Sequence, residues 1–76
     1  MFGDNHNTTV YPNPASSEVT IYSSNEMMLS MKNFYGRTLK RVALSEGDNV
    51  ILLDGISNGM YILEFENGHA EIFVKQ

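Results

Sequence analysis

Turn signals punctuate this chain at close to the spacing of about 8–12 residues that marks a sandwich or barrel, and the residues between them alternate apolar with polar. The signals are Pro12-Asn13-Pro14, Ser23-Ser24-Asn25, Tyr35-Gly36, Glu46-Gly47-Asp48-Asn49, Asp54-Gly55, Asn58-Gly59 and Asn67-Gly68. Within Glu18–Ser23, Val19 and Ile21 share a face; within Met28–Lys32, Leu29 and Met31 do. Tyr61, Leu63 and Phe65 share one in Met60–Phe65, as do Ile72 and Val74 in Ala70–Lys75. A period of two is the signature of a strand, because successive side chains leave it on opposite sides. β-branched and aromatic residues concentrate in these runs. Nowhere do apolar residues recur at helical spacing over three turns.

The expected fold is therefore all-β, a small antiparallel immunoglobulin-like β-sandwich of about seven short strands. Asn67-Gly68 between two alternating runs predicts a hairpin, and Phe34-Tyr35-Gly36-Arg37 reads as the tip of another. With 76 residues the chain makes one domain. A chain this short buries only about 60% of its unfolded surface. It has no cysteine, so no disulfide staples it, and its core must come from aliphatic residues, methionine, phenylalanine and tyrosine. Lack of cysteine fits an exported protein and a small cytosolic one equally. Residues 1–7 are polar and read as a flexible N-terminal linker remnant, which leaves residues 8–76 as the domain.

Formal net charge is −4 and uneven. Residues 1–41 hold three acids against four bases, and residues 42–76 six acids against one. An acidic domain repels a phosphate backbone, so nucleic acid is not an expected partner. No apolar run approaches the ~20 residues of a membrane span. Met1-Phe2-Gly3-Asp4-Asn5-His6 lacks the basic, apolar, small-residue order of a signal peptide. If the domain is exported, its export signal lies upstream on a longer parent chain, and Met1 is an imposed start.

Reactive constellations are scarce. His6 and His69 are the only histidines, without further ligands at metal-binding spacing, and both read as solvated loop residues. There is no Gly-x-Ser-x-Gly, and no acid, base and nucleophile set can be assembled. Glu46-Gly47-Asp48-Asn49 lacks the alternating oxygen pattern and distal glutamate of a calcium loop and reads as a plain turn. Asn7-Thr8-Thr9 fits the N-glycosylation sequon, a short motif common by chance. Arg37, Lys40 and Arg41 form a small basic cluster on a hairpin, either a solvated face or a dock for an acidic surface. Pro12 and Pro14 remove two backbone donors and restrict the residues before them to extended backbone. That reads as a strand stop protecting an edge, or as a rigid feature open to recognition. Gly59 permits a turn into the strand at positive φ, and Tyr61 then places an amphipathic ring on the inner face.

Taken in order, Val10-Tyr11-Pro12-Asn13-Pro14, Asn33-Phe34-Tyr35-Gly36-Arg37, Ile56-Ser57-Asn58-Gly59-Met60-Tyr61 and the closing Val74-Lys75-Gln76 resemble the C-terminal sorting domain (type A) of the type IX (Por) secretion system of Bacteroidota. The resemblance runs from about Thr8 to Gln76, over nearly the whole chain. Pro12, Asn13 and Pro14 fall on the family's first motif and Gly36 on the glycine of its central hairpin. Gly59 and Tyr61 fall on its Gly-x-Tyr motif, and Lys75 on the basic residue of its last strand. Ser57-Asn58 replaces the commoner Pro-Ala before the glycine, and the end carries one lysine where many members carry several.

The resemblance implies a secretion signal rather than an enzyme, with no cofactor. The parent would cross the periplasm on its way to the outer membrane, the cell surface or the exterior. A type IX outer-membrane translocon would recognise this domain, and a sortase-like peptidase would cut at or upstream of residues 1–7 to release the upstream cargo. Strand edges, above all the final one, offer main-chain hydrogen bonds for strand addition. Residues 59–76 are thus the expected main recognition element. A second reading is a carbohydrate-binding or adhesive sandwich, with Tyr22, Tyr35 and Phe73 as candidate exposed aromatics. Weak self-association through open edges and a strand rich in methionine (Met27, Met28, Met31) is also compatible with the sequence.

Overall fold

The computed structural model describes residues 8–76. His6, Asn7 of the sequon and the rest of the 1–7 stretch lie outside the described residues. Seven strands make up the fold: β1 (Thr8–Tyr11), β2 (Glu18–Ser23), β3 (Met27–Lys32), β4 (Thr38–Leu44), β5 (Gly47–Leu52), β6 (Gly59–Phe65) and β7 (Ala70–Lys75). They form two antiparallel sheets, one ordered β1-β2-β5 and the other β4-β3-β6-β7. Constant-type immunoglobulin domains place their fourth strand in the sheet of the first, second and fifth. Here β4 pairs with β3 instead, Met27 opposite Leu44 through Lys32 opposite Thr38.

Alternation decides which side chains enter the space between the sheets. Val19 and Ile21 of β2, Leu29 and Met31 of β3, and Tyr61, Leu63 and Phe65 of β6 are all buried, with Leu44, Ile51 and Leu53 beside them. Truncating a fully buried member such as Leu63 to alanine costs about 2–5 kcal/mol. On β7 the inward residue is Phe73, which is fully buried, while Ile72 is half exposed. Ile72 and Val74 share a face, but it is the outer one. The hairpin register sets Tyr61 opposite Phe73, and the two rings stack with centroids 5.6 Å apart. A one-residue slip would put Ile72 inside and forfeit that ring pair.

β3 is a central strand, paired with β4 on one side and β6 on the other. Met31 is buried and Met27 packs against the core, so the methionine strand offers no open edge for self-pairing. Of the two strands that flank the four-stranded sheet, β4 is irregular. Its register with β3 shifts at Met31/Lys32, and Lys40 turns back to donate to the Leu52 carbonyl at 2.6 Å. A bulge and a charge turned inward both discourage strand addition along an edge.

Because consecutive strands run in opposite directions, the β1–β2, β3–β4 and β5–β6 connections and the end of β7 gather at one end of the sandwich. The Leu53 N–H donation to Ser17 O at 3.0 Å and the bridge between Ala15 and Lys75 tie that end together.

Candidate functional site

Pro12–Ala15 leaves β1 and crosses onto the outer edge of β7. Pro12, Asn13 and Pro14 are exposed, whereas Ala15 is buried. Both prolines follow cis peptide bonds. The Ala15 N–H donates to Val74 O, and Ala15 O accepts from the Gln76 N–H, each at 2.8 Å. The Asn13 side chain completes the seam: its Oδ1 accepts from the Val74 N–H at 2.9 Å and its Nδ2 donates to Ile72 O at 3.3 Å. In an antiparallel strand alternate residues turn their backbone groups to opposite neighbours. Ile72, Val74 and Gln76 face outward, and this strap satisfies most of their edge groups. The final edge therefore has a partner from within the chain along most of its length. The strap does more than stop β1. It supplies β7 with a short parallel neighbour, which is why a polar amide sits between the two prolines.

On the other side of β7, Gly59 of β6 lies opposite Lys75. Gly59 has φ +152°, a conformation that residues with a Cβ rarely adopt. Two residues on, the Tyr61 hydroxyl donates to Ser57 O at 2.5 Å, with the ring only 7% exposed. A tyrosine early in the sixth strand that donates to backbone a few residues upstream is the tyrosine corner of immunoglobulin-like sandwiches. Gly59-Met60-Tyr61 thus bends the chain into β6 and locks the bend. Lys75 Nζ donates to Asn58 Oδ1 at 3.2 Å, joining the end of β7 to the same turn.

Gly36 sits at the tip of the β3–β4 hairpin with φ +87°. Asn33 Oδ1 accepts from the Tyr35 and Arg37 N–H groups, each at 3.0 Å, and holds the tip rigid. An open groove of about 420 Å3 separates Asn33 and Leu39 of this hairpin from Ile56, Ser57 and Tyr61. The fold thus joins Pro12, Asn13 and Pro14 to Lys75 through the strap, and Lys75 to Gly59 and Tyr61 through β6. Gly36 lies at the same end but stands apart on its own hairpin. Sequence reasoning missed the backbone of Ala15, Asn58 and the pairing of Tyr11 with Asp48. Only the middle asparagine of Pro12-Asn13-Pro14 could have signalled the first.

Several remaining expectations change. His69 is half-buried, stacked on Phe65 with centroids 5.7 Å apart, and its Nε2 lies 2.8 Å from Glu71 Oε2. It is a packed residue of the β6–β7 turn rather than a solvated one. The basic cluster divides: Lys40 is committed to the Leu52 carbonyl, while Arg37 and Arg41 stay exposed. In Glu46–Asn49 the strand starts at Gly47, and Asn49 Oδ1 accepts from the Ser45 N–H at 2.9 Å to close the turn. Of the three aromatics considered for a sugar platform, Phe73 is core, Tyr35 stands on the hairpin tip and Tyr22 lies on a sheet face. The Tyr11 hydroxyl donates to Asp48 Oδ1 at 2.9 Å. That bond, then desolvation and the nearby carboxylate charge, raise the Tyr11 pKa above its ordinary 10.0.

No curated protein and no solved structure matches the chain. Residues 9–76 match the family described as the secretion system C-terminal sorting domain. With nearly its whole length covered, the chain belongs to the C-terminal sorting domains of type IX secretion.

Proposed function

We propose that the folded domain is read by the type IX outer-membrane translocon at the end of the sandwich where the Pro12–Ala15 strap, Gly59–Tyr61 and β7 meet. The coarser statement follows from the family: this is a type IX secretion signal, carried by a protein that passes through the periplasm to the cell surface or beyond. The observation that supports the finer reading is the seam itself. Motifs 59 and 61 residues apart in sequence close on one another through a single asparagine amide. A signal that acts while folded needs a defined outline, and this seam makes the outline depend on the whole domain being folded. Residues 1–7 then serve as the linker to the upstream cargo, and a sortase-like peptidase cuts at or upstream of them once the cargo is across.

The seam also refines how a receptor engages β7. Strand addition along Ile72–Gln76 requires the strap to leave, so we assign recognition to the exposed surface of the strap and hairpin with the edge kept closed. Met60→Glu, at an exposed position of the hairpin, with Lys75→Glu alters that surface while leaving the Asn13 and Ala15 contacts in place. A reporter carrying this pair should accumulate in the periplasm although the purified domain melts close to the parent. Undiminished export of a reporter whose domain melts normally would refute the assignment.

A further inference from the structure

Charge divides between the two sheets. Residues 8–26 and 45–58, which build the three-stranded sheet and its connections, contain Glu18, Glu26, Glu46, Asp48 and Asp54 and neither lysine nor arginine. Four of the five cations, Lys32, Arg37, Lys40 and Arg41, lie on β3, β4 and the hairpin between them. Lys32 pairs with Glu64 at 2.8 Å and Lys40 is held by the Leu52 carbonyl. Arg37 and Arg41 are exposed, and among the described residues no carboxylate lies within ion-pair distance of either.

Exposed apolar surface follows the same division. On the outer face of the three-stranded sheet, Tyr11 and Tyr22 are each 42% exposed, Val50 58% and Leu52 56%. The register gathers them into one patch: Tyr11 and Val50 flank Thr20, Tyr22 is opposite Asp48, and Glu18 is opposite Leu52. The Tyr11 hydroxyl reaches across β2 to Asp48, so its ring lies over the face. The hairpin tip presents Phe34, 55% exposed, and Tyr35, 97% exposed, beside Arg37. Among the described residues, six of the ten exposed large apolar side chains therefore sit in these two places. One is rimmed by acids and the other by arginines. Contiguous exposed apolar surface of this kind marks an interaction site more often than a bare solvent face.

We infer that the β3–β4 hairpin of one copy docks on the outer face of the three-stranded sheet of a second copy. Phe34 and Tyr35 cover Val50 and Leu52, and Arg37 and Arg41 meet Glu18 and Asp48. Burying the aromatics removes apolar area from water, the opposed charges set the orientation, and an arginine over a tyrosine face adds a cation–π contact. The second copy is the occupant because this chain itself carries the complement to its own acidic face. The contact is heterologous, so copies add head to tail rather than closing a twofold dimer. One hairpin tip buries less than the ~800 Å² per partner of a standard interface, so the association is weak and concentration-dependent.

Sedimentation of the 76-residue chain over a concentration series tests this. The weight-average mass should rise with concentration at low salt. Raising sodium chloride from about 0.01 M to about 1 M shortens the screening length from about 30 to about 3 Å and should weaken association roughly tenfold. Arg37→Glu with Arg41→Glu should give a monomer, and so should Glu18→Lys with Asp48→Lys. An equimolar mixture of the two reversed variants should associate again, which two unfolded variants could not do. A monomer at every concentration in low salt overturns the inference and leaves the face to another occupant, such as a neutral glycan. Association that survives either reversal alone, or a mixture that stays monomeric, overturns it too.

Discussion

The Asn13 amide and the Val74 backbone, 61 residues apart, meet as one strand meets another: the Asn13 Oδ1 accepts the Val74 N–H at 2.9 Å while the Nδ2 reaches Ile72 O at 3.3 Å. The side chain imitates a peptide group between two prolines that have no N–H to offer. Asn13→Ala removes both bonds and bares the edge of β7. The expected loss is about 1–2 kcal/mol, or a fall in melting temperature of about 4–16 °C for a domain of this size. Asn13→Asp keeps the acceptor for Val74 but sets a carboxylate oxygen against Ile72 O, and should not restore full stability. Thermal melts of the three proteins check the order.

Tyr61 contributes through two separable groups. Tyr61→Phe keeps the stack on Phe73 and loses only the bond to Ser57 O, so it should cost about 1 kcal/mol. Tyr61→Ala also empties the inner face of β6 and should cost about 3–5 kcal/mol. Denaturant titrations of both variants would show the two steps.

Gly59 has open space where a Cβ would go, with no heavy atom beyond its two chain neighbours within 4 Å, yet its φ is +152°. The cost of Gly59→Ala is therefore a backbone cost, about 1–3 kcal/mol. No clash has to be relieved, so Gly59→Ala and the larger Gly59→Ser should lose stability by similar amounts, which denaturant titration of the two variants would check.

Tyr11 gives a pH-dependent signature. Its hydrogen bond to Asp48 favours the neutral phenol and raises its pKa above 10.0. A raised folded pKa means the stabilising effect is complete below the unfolded value and is lost as pH climbs through the folded one. Spectroscopic titration should therefore show Tyr11 ionising above its ordinary range. Asp48→Asn should bring that transition back toward the ordinary value, and Tyr11→Phe should remove it.

Much of the fold was legible in the sequence because it is local. Alternation in Glu18–Ser23 and Met60–Phe65 fixed those strands and their inward faces, and Asn67-Gly68 fixed the hairpin between β6 and β7. β4 was harder to read, since Lys40 and Arg41 point to opposite sides and break its alternation. On β7 the pattern Ile72-Phe73-Val74 is apolar throughout, so period two could not say which face is inside; the ring of Tyr61 across the hairpin decides it. The seam was invisible for a different reason. A strand stop and an edge cap use the same prolines, and only the long-range approach of Asn13 to Val74 distinguishes them. The tyrosine corner had a local signal, a tyrosine two residues into the sixth strand after a glycine turn, which gains its meaning from the sandwich around it.

The proposed reading of residues 8–76 as a folded address for type IX export is tested by joining the chain to an inert reporter with a periplasmic export signal, in a Bacteroidota host, and comparing reporter outside the cells with reporter retained. Export of the fusion, abolished when Ile72–Gln76 is removed and β7 with its strap is lost, is the predicted result. A fusion that stays inside a host still secreting its own passengers, or one exported equally well without those residues, contradicts the account.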